Sequence, residues 1–178
     1  IGWDEVDAQL PQFAQALEKA GCDFIAVHGR TRAQYYTGEA NWEMIKAVKE
    51  AVTIPVIANG DVVDVASYHA ILEKTGADAV MIGRGALGCP WLFAELLADI
   101  RGEAAPAAPS LTERGAIIMD HAELACRYKG ERIAMQEMRK QLGWYVKGMP
   151  HAAALRRDGC TISTLQDLQA LLKREQML

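Results

Sequence analysis

Along the first hundred residues the apolar positions follow two alternating rhythms, one of helical spacing and one of short unbroken runs. Val6, Leu10, Phe13 and Leu17 stand at helical spacing and predict a helix over residues 4–20, stopped by Gly21; the run "DFIAVHG" (23–29) then predicts a strand. The pattern repeats twice. Asn41 is placed to cap a helix through Trp42, Ile45 and Val48 ahead of the run "TIPVIANGD" (53–61). Asp64 is placed to cap another through Val65, Tyr68 and Leu72, stopped by Gly76, ahead of "DAVMIGRG" (78–85). A fourth helix is predicted from Trp91 to Ile100. Short, continuously apolar strands separated by helices predict a parallel sheet covered by helices.

The rhythm then changes. Residues 101–110 carry two prolines among small residues, the composition of a connection, and beyond them no strand signal appears. Ser110-Leu-Thr-Glu113 has the spacing of a capping box opening a helix to about Lys129. Glu131 to Lys147 predicts a second helix with Met138, Leu142 and Tyr145 on its apolar side. A short third lies near His151 to Arg157, and Ser163-Thr-Leu-Gln166 opens a fourth. The expected organisation is an α/β domain over residues 1–102, a linker over 103–109 and an all-α helical bundle over 110–178.

Composition narrows the function classes. With 178 residues and 51% hydrophobic content the chain can bury a sizeable core. No apolar run approaches the ~20 residues of a membrane span, and the expectation is a soluble, cytoplasmic protein without a membrane partner. Cys22, Cys89, Cys126 and Cys160 form no CxxC pair and no Cys/His cluster, so reduced thiols and no metal are expected. The chain opens on Ile1-Gly2-Trp3 without a methionine, and an N-terminal part is expected to be missing. Charge is uneven: Lys and Arg number 8 against 14 Asp and Glu over residues 1–102, and 11 against 9 over 103–178. Within Arg127 to Arg157 there are 8 basic and 2 acidic residues, interleaved with Tyr128, Trp144 and Tyr145. That cluster suits phosphate contact. The two aromatics Trp144 and Tyr145 are read as bundle core.

All three predicted strands end in residues a plain connection does not need: His28-Gly29-Arg30-Thr31, Asn59-Gly60-Asp61 and Gly83-Arg84-Gly85. In parallel α/β folds the carboxyl ends of strands carry the site, because loops and helix starts converge there. Glycines let the backbone approach a ligand, and helix-start N–H groups favour an anion, so a phosphate is the natural guest. The plainer reading is that the glycines end strands and Arg84 pairs with an acid such as Asp61. Two successive glycine turns favour the phosphate. His28 projects from a strand end toward the same mouth, and Arg30 and Arg32 gain weight from position alone.

On these residues the sequence resembles the tRNA-dihydrouridine synthases, and within them the bacterial B-type branch. The matching stretches are Gly2-Trp3, "VHGRTR" (Val27 to Arg32), Gly38-Glu39-Ala40, "IPVIANGD" (Ile54 to Asp61), "TGADAVMIGRGALGCPW" (Thr75 to Trp91) and "MRKQLGWYVKG" (Met138 to Gly148), in order through essentially the whole chain. The resemblance implies an FMN-dependent enzyme that uses NADPH to reduce the C5–C6 double bond of particular uridines in tRNA. Its implied fold is a TIM (β/α)8 barrel followed by a helical RNA-binding domain, with the strands here as the barrel's sixth, seventh and eighth.

Residue by residue, the resemblance implies that His28, Asn59, Gly60, Asp61, Gly83 and Arg84 bind the cofactor, the last five gripping its phosphate. Arg30 is implied as a contact to flavin or RNA; within the basic cluster of the helical domain, Arg139, Lys140, Arg156 and Arg157 are expected as RNA contacts. The family's catalytic cysteine lies in an Asn-x-Gly-Cys-Pro motif after the fourth strand, ahead of Ile1, as does a lysine before the motif that ends in Gly2-Trp3. No catalytic residue is therefore expected within these 178 residues, and the chain alone is expected to be inactive. Cys89 stands in Gly-Cys-Pro after the last strand and is read as a turn residue. Two other readings stay open: another FMN barrel of the dihydroorotate-dehydrogenase kind, which leaves the basic helices unexplained, and a non-catalytic RNA-binding fragment.

Overall fold

A computed structural model describes residues 1–178, which form three parallel strands, eight α-helices and one short 3-10 turn. Two compact units are present, one of Ile1–Ala86 with Glu95–Glu103 and one of Leu87–Ala94 with Ala104–Leu178.

The first unit is an α/β layer. Strands β1 (Ile25–His28), β2 (Val56–Asn59) and β3 (Ala79–Met81) pair in parallel in the order β1-β2-β3. Helices α1 (Leu10–Lys19), α2 (Trp42–Ala51) and α3 (Val65–Thr75) lie between or before them in sequence. One sheet face is packed: Val27, Val56 and Ala58 are buried with Ile45 and Val48 of α2 and Ile71 of α3. Each such aliphatic side chain contributes about 1.5–3 kcal/mol when fully buried, which outweighs the weak propensities of four-residue strands. The opposite face leaves Ala26, His28, Ala79 and Met81 exposed. Register aligns His28 with Asn59 and Asn59 with Met81, so the carboxyl ends of the strands form one row.

Local signals set most helix ends. Asn41 caps α2 by accepting from the Met44 N–H at 3.0 Å. Asp64 and Ser67 form a reciprocal capping box at α3, and Gly76 ends that helix in the left-handed conformation. Helix α1 differs from expectation: it begins at Leu10, not near residue 4. Pro11 stands in its first turn, and Asp7 instead accepts from the Gln9 N–H at 2.8 Å, holding a turn. Val6 is exposed, so its helical spacing with Leu10 was coincidental.

The second unit is helical. Helices α5 (Leu111–Lys129), α6 (Glu131–Tyr145), α7 (Ala152–Gly159) and α8 (Leu165–Arg174) surround a core that includes Ile118, Met135, Met138, Leu142 and Leu172, all with no measurable exposure. Ser110 and Glu113 form the capping box of α5. At α8 the cap is Thr164 with Asp167, and not Ser163 with Gln166, because the Asp167 carboxylate accepts from both the Ser163 and Thr164 N–H groups, at 2.8 and 2.9 Å. Tyr145 is core, and Trp144 is half-buried beneath the Lys140 ammonium, 5.1 Å from the ring centre.

Leu87–Ala94 groups with these helices although it precedes the linker, and α4 (Leu92–Ile100) starts within that segment. Two contacts explain this. Gly88, in a left-handed conformation, lies so near the Trp144 backbone that a Cβ would come within 2.3 Å of its carbonyl carbon. The Arg114 guanidinium stacks over the Trp91 ring at 4.9 Å. Cys89 is half-buried in this turn, where its carbonyl accepts from the Leu92 N–H at 3.1 Å.

Candidate functional site

The row of strand ends opens into a pocket of about 440 Å³ lined by residues of all three βα connections, a volume within the usual range for small-molecule sites. From β1 come His28 and Arg30, from β2 Asn59, Gly60 and Asp61, and from β3 Met81, Gly83, Arg84 and Gly85. The six residues expected to bind a cofactor are thus brought together.

Close backbone approach builds the mouth. The Asn59 side-chain amide donates to the Met81 carbonyl at 2.7 Å, and the Asn59 backbone carbonyl accepts from the Gly29 N–H at 3.0 Å. Gly60 has a φ of +143°, and a Cβ there would stand 2.5 Å from the Ala40 Cβ. A Cβ on Gly85 would stand 2.1 Å from the Val62 carbonyl oxygen, so the turns after β2 and β3 touch through a glycine. Trp42 at the start of α2 donates its indole N–H to the Gly60 carbonyl at 3.2 Å.

The helix-start N–H groups expected to meet an anion are partly occupied. Val63, Asp64 and Ser67 donate theirs within the α3 capping box. Those three N–H groups are not free to meet an anion, whereas the Arg84 guanidinium lines the pocket.

Asp61 is the hub. Its backbone is left-handed at φ +60°, and its carboxylate accepts from the Ala40 N–H at 2.7 Å and from Arg30 Nη2 at 2.8 Å. Arg84 Nη2 lies farther off, 3.6 Å from Asp61 Oδ1. Burial pushes the Asp61 carboxyl upward, but these hydrogen bonds and the two guanidinium charges outweigh it and hold the group below the ordinary carboxylate range. Arg84 also sits over the Tyr36 ring at 4.4 Å and reaches the Tyr36 carbonyl at 3.5 Å.

Arg30 was expected to touch flavin or RNA, yet it is 4% exposed. It donates to the Thr37 carbonyl at 3.3 Å and the Gly38 carbonyl at 2.6 Å as well as to Asp61, so it latches the loop after β1. Its Nη1 is buried with no hydrogen-bond partner in the protein. Sequence reasoning also passed over Tyr36, which lines the pocket under Arg84. Two adjacent tyrosines in a polar loop directly after a strand end were the available signal.

His28 is held below the ordinary imidazole range, first by burial and then by the Arg30 and Arg84 charges, which Asp61 offsets in part. The folded state thus binds this proton less readily than the unfolded chain, so His28 favours unfolding as pH falls through the unfolded value of about 6.5. An NMR titration of its ring should show a midpoint below that value, with a neutral ring at pH 7; a midpoint at or above it contradicts the electrostatics described.

The basic residues of the helical unit divide. Arg139 spends its guanidinium on the Ile162 carbonyl at 2.9 Å and on Ser163, fastening α6 to the start of α8. Arg156 donates to the Ala152 carbonyl one turn back, with its methylenes over Gly143, and Arg157 pairs with Asp158 at 3.1 Å. Lys140, Arg156 and Arg157 remain exposed. No three His, Cys, Asp or Glu side chains come together as metal ligands, and no helix is long and apolar enough to cross a membrane.

The dihydrouridine synthase (Dus) family model matches residues 1–178, the full length of the chain. The chain belongs to the dihydrouridine synthase family. Among curated relatives, a probable tRNA-dihydrouridine synthase of Rickettsia conorii is 42% identical over 88% of this chain and 47% of its own length. A protein of the same description from Synechocystis is 43% identical over 97% of this chain and 48% of its own, and one from Mycobacterium tuberculosis 42% over 98% and 45%. The chain spans about half the length of the curated relatives it matches. The pocket described above thus lies in a dihydrouridine synthase sequence, and its donors and close glycine approaches suit an anionic group.

Proposed function

We propose that the chain is the phosphate-gripping and tRNA-contacting part of a tRNA-dihydrouridine synthase, an oxidoreductase that uses FMN and NADPH to reduce specific uridines. In this reading the three βα units are the last three of a (β/α)8 barrel, and the helices after residue 110 form a tRNA-binding domain. The observation that carries it is the convergence of His28, Asn59, Asp61 and Arg84 on one pocket at the carboxyl ends of parallel strands, in a chain matched throughout by the family model.

Bound FMN would supply the hydride for the uracil C5–C6 double bond. The chain's own residues do the holding. Arg84 offers a charged fork to the phosphate, the Gly60 and Gly85 approaches bring the two turns together around it, and Asn59 ties β2 to β3 so that both turns keep register. The orphaned, buried Nη1 of Arg30 and the cradles that a Cβ would fill both support an anion here. His28, neutral at physiological pH, offers a hydrogen bond without competing for the phosphate charge. Lys140, Arg156 and Arg157 would attract the tRNA backbone, with affinity that falls as salt rises, and the target base must leave its stack to be reduced. Arg139, half-buried and bonded to the Ile162 carbonyl, also fastens the bundle. Cys89, in the turn packed on Trp144, is no proton donor in this reading; that cysteine belongs to the part of the family's length that this chain does not span.

Titrating the protein with FMN and with riboflavin, which lacks the phosphate, tests the assignment. FMN should bind at least about tenfold more tightly, the effect of one or two charge-assisted hydrogen bonds. Equal affinities, or no flavin binding, overturn it.

A further inference from the structure

The pocket assigned to a phosphate contains a carboxylate, and an anion does not tolerate a bare carboxylate beside it. Arg84 cannot both neutralise Asp61 and serve a phosphate at full strength. The distances show how the conflict is resolved: Asp61 Oδ1 lies 2.7 Å from Arg30 Nη2 and 3.6 Å from Arg84 Nη2. The Arg30 side chain is 2% exposed and that of Arg84 45%. The buried guanidinium makes the short pair with the carboxylate, while the exposed one stands off at 3.6 Å from it, 3.5 Å from the Tyr36 carbonyl and over the Tyr36 ring.

We infer that Arg30 is a positioning residue for the anion site: it neutralises Asp61 and thereby releases Arg84 to bind phosphate. This rests on the phosphate reading above and deepens it. With His28 neutral, Arg30, Arg84 and Asp61 together leave the pocket one net positive charge; without Arg30 the pocket is electrically balanced and Arg84 has an acid to itself. The burial of Arg30 makes the device more durable than a surface ion pair, although the Asp61 side chain is 32% exposed, because salt screens a partly buried pair less. The same guanidinium holds the Thr37 and Gly38 carbonyls, so the loop carrying Tyr36 is fixed by the group that fixes Asp61. The left-handed backbone at Asp61 aims its carboxylate at Arg30 and Ala40.

A double-mutant cycle read as the ratio of FMN to riboflavin affinity separates this role from a merely structural one. Arg30→Gln should lower the ratio by roughly tenfold, the effect of leaving the Asp61 charge uncompensated at close range to Arg84 and the phosphate in a partly solvated site. Arg30→Lys should restore most of it. Asp61→Asn, which keeps a residue tolerant of the left-handed conformation, should raise the ratio, since it removes the repelling charge. In the Asp61→Asn background, Arg30→Gln should no longer lower the ratio. Equal losses from Arg30→Gln in both backgrounds overturn the inference, as does a fall with Asp61→Asn alone, a measurement that stands even if Arg30→Gln fails to fold. A wild-type protein that does not prefer FMN to riboflavin removes the phosphate reading itself. One that prefers FMN, with a ratio insensitive to Arg30, removes only the neutralisation.

Discussion

A Gly85→Ala variant should bind FMN at least about tenfold more weakly than the wild-type protein, a loss as large as the phosphate preference proposed above. The new Cβ would stand 2.1 Å from the Val62 carbonyl oxygen and 3.1 Å from the Val63 Cα. Both are backbone atoms of the turn after β2, so no rotamer change relieves the contact. The two turns must part by about 1 Å or more to reach ordinary contact distance. Arg84, the preceding residue, moves with one turn while Asp61 belongs to the other. Isothermal titration with FMN measures the loss, and the urea midpoint reports whether the fold persists. An affinity within threefold of wild type would show that the two turns need not touch to hold the ligand.

The second large effect concerns the helices. Leu142→Ala should destabilise the bundle by about 2–5 kcal/mol, the cost of deleting a fully buried leucine and leaving a cavity. Its neighbour makes the test sharper. A Cβ on Gly159 of α7 would stand 2.6 Å from Leu142 Cδ2, so Gly159→Ala alone overpacks the same spot, at about 1–3 kcal/mol. In the Leu142→Ala background the added methyl enters the vacated space. The double variant should therefore be no less stable than Leu142→Ala, a coupling visible as non-additive urea midpoints. Simple addition of the two losses would mean that α6 and α7 do not meet at these residues.

Much of this was legible in the sequence where the deciding interactions are local. The Asp64 cap, the Gly76 stop and the Ser110-Glu113 box involve residues no more than four apart along their own helices, and each appears in the structure. The start of α1 was misread because Val6 has the right spacing, while Pro11 and the Asp7 turn carried the stronger signal. At α8 two overlapping boxes competed, and only the position of the Asp167 carboxylate separates them. The strand-end rule brought out His28, Asn59, Asp61 and Arg84, since in a parallel sheet register aligns the strand ends His28, Asn59 and Met81 and so brings the connections that carry Asp61 and Arg84 to the same side. Arg30 could not be read this way. Its meaning depends on Asp61, 31 residues away in sequence, and on carbonyls of a loop whose path no periodicity reveals. Tyr36 left only the weak signal of two adjacent tyrosines in that loop, and its place under Arg84 depends on the same loop path.

The assignment of Leu87–Ala94 to the helical unit has a practical reach for anyone shuffling parts between dihydrouridine synthases. A chimera joined once within the linker would receive its helices from one parent and the stretch holding Gly88 and Trp91 from the other, and so would set a foreign glycine turn against Trp144 and a foreign ring under Arg114. A transplant that respects the packing must carry two separate pieces of chain and make three joins. On the tRNA-binding reading proposed for the helices, exchange of tails is correspondingly constrained: residues 87–94 and the helices have to change together.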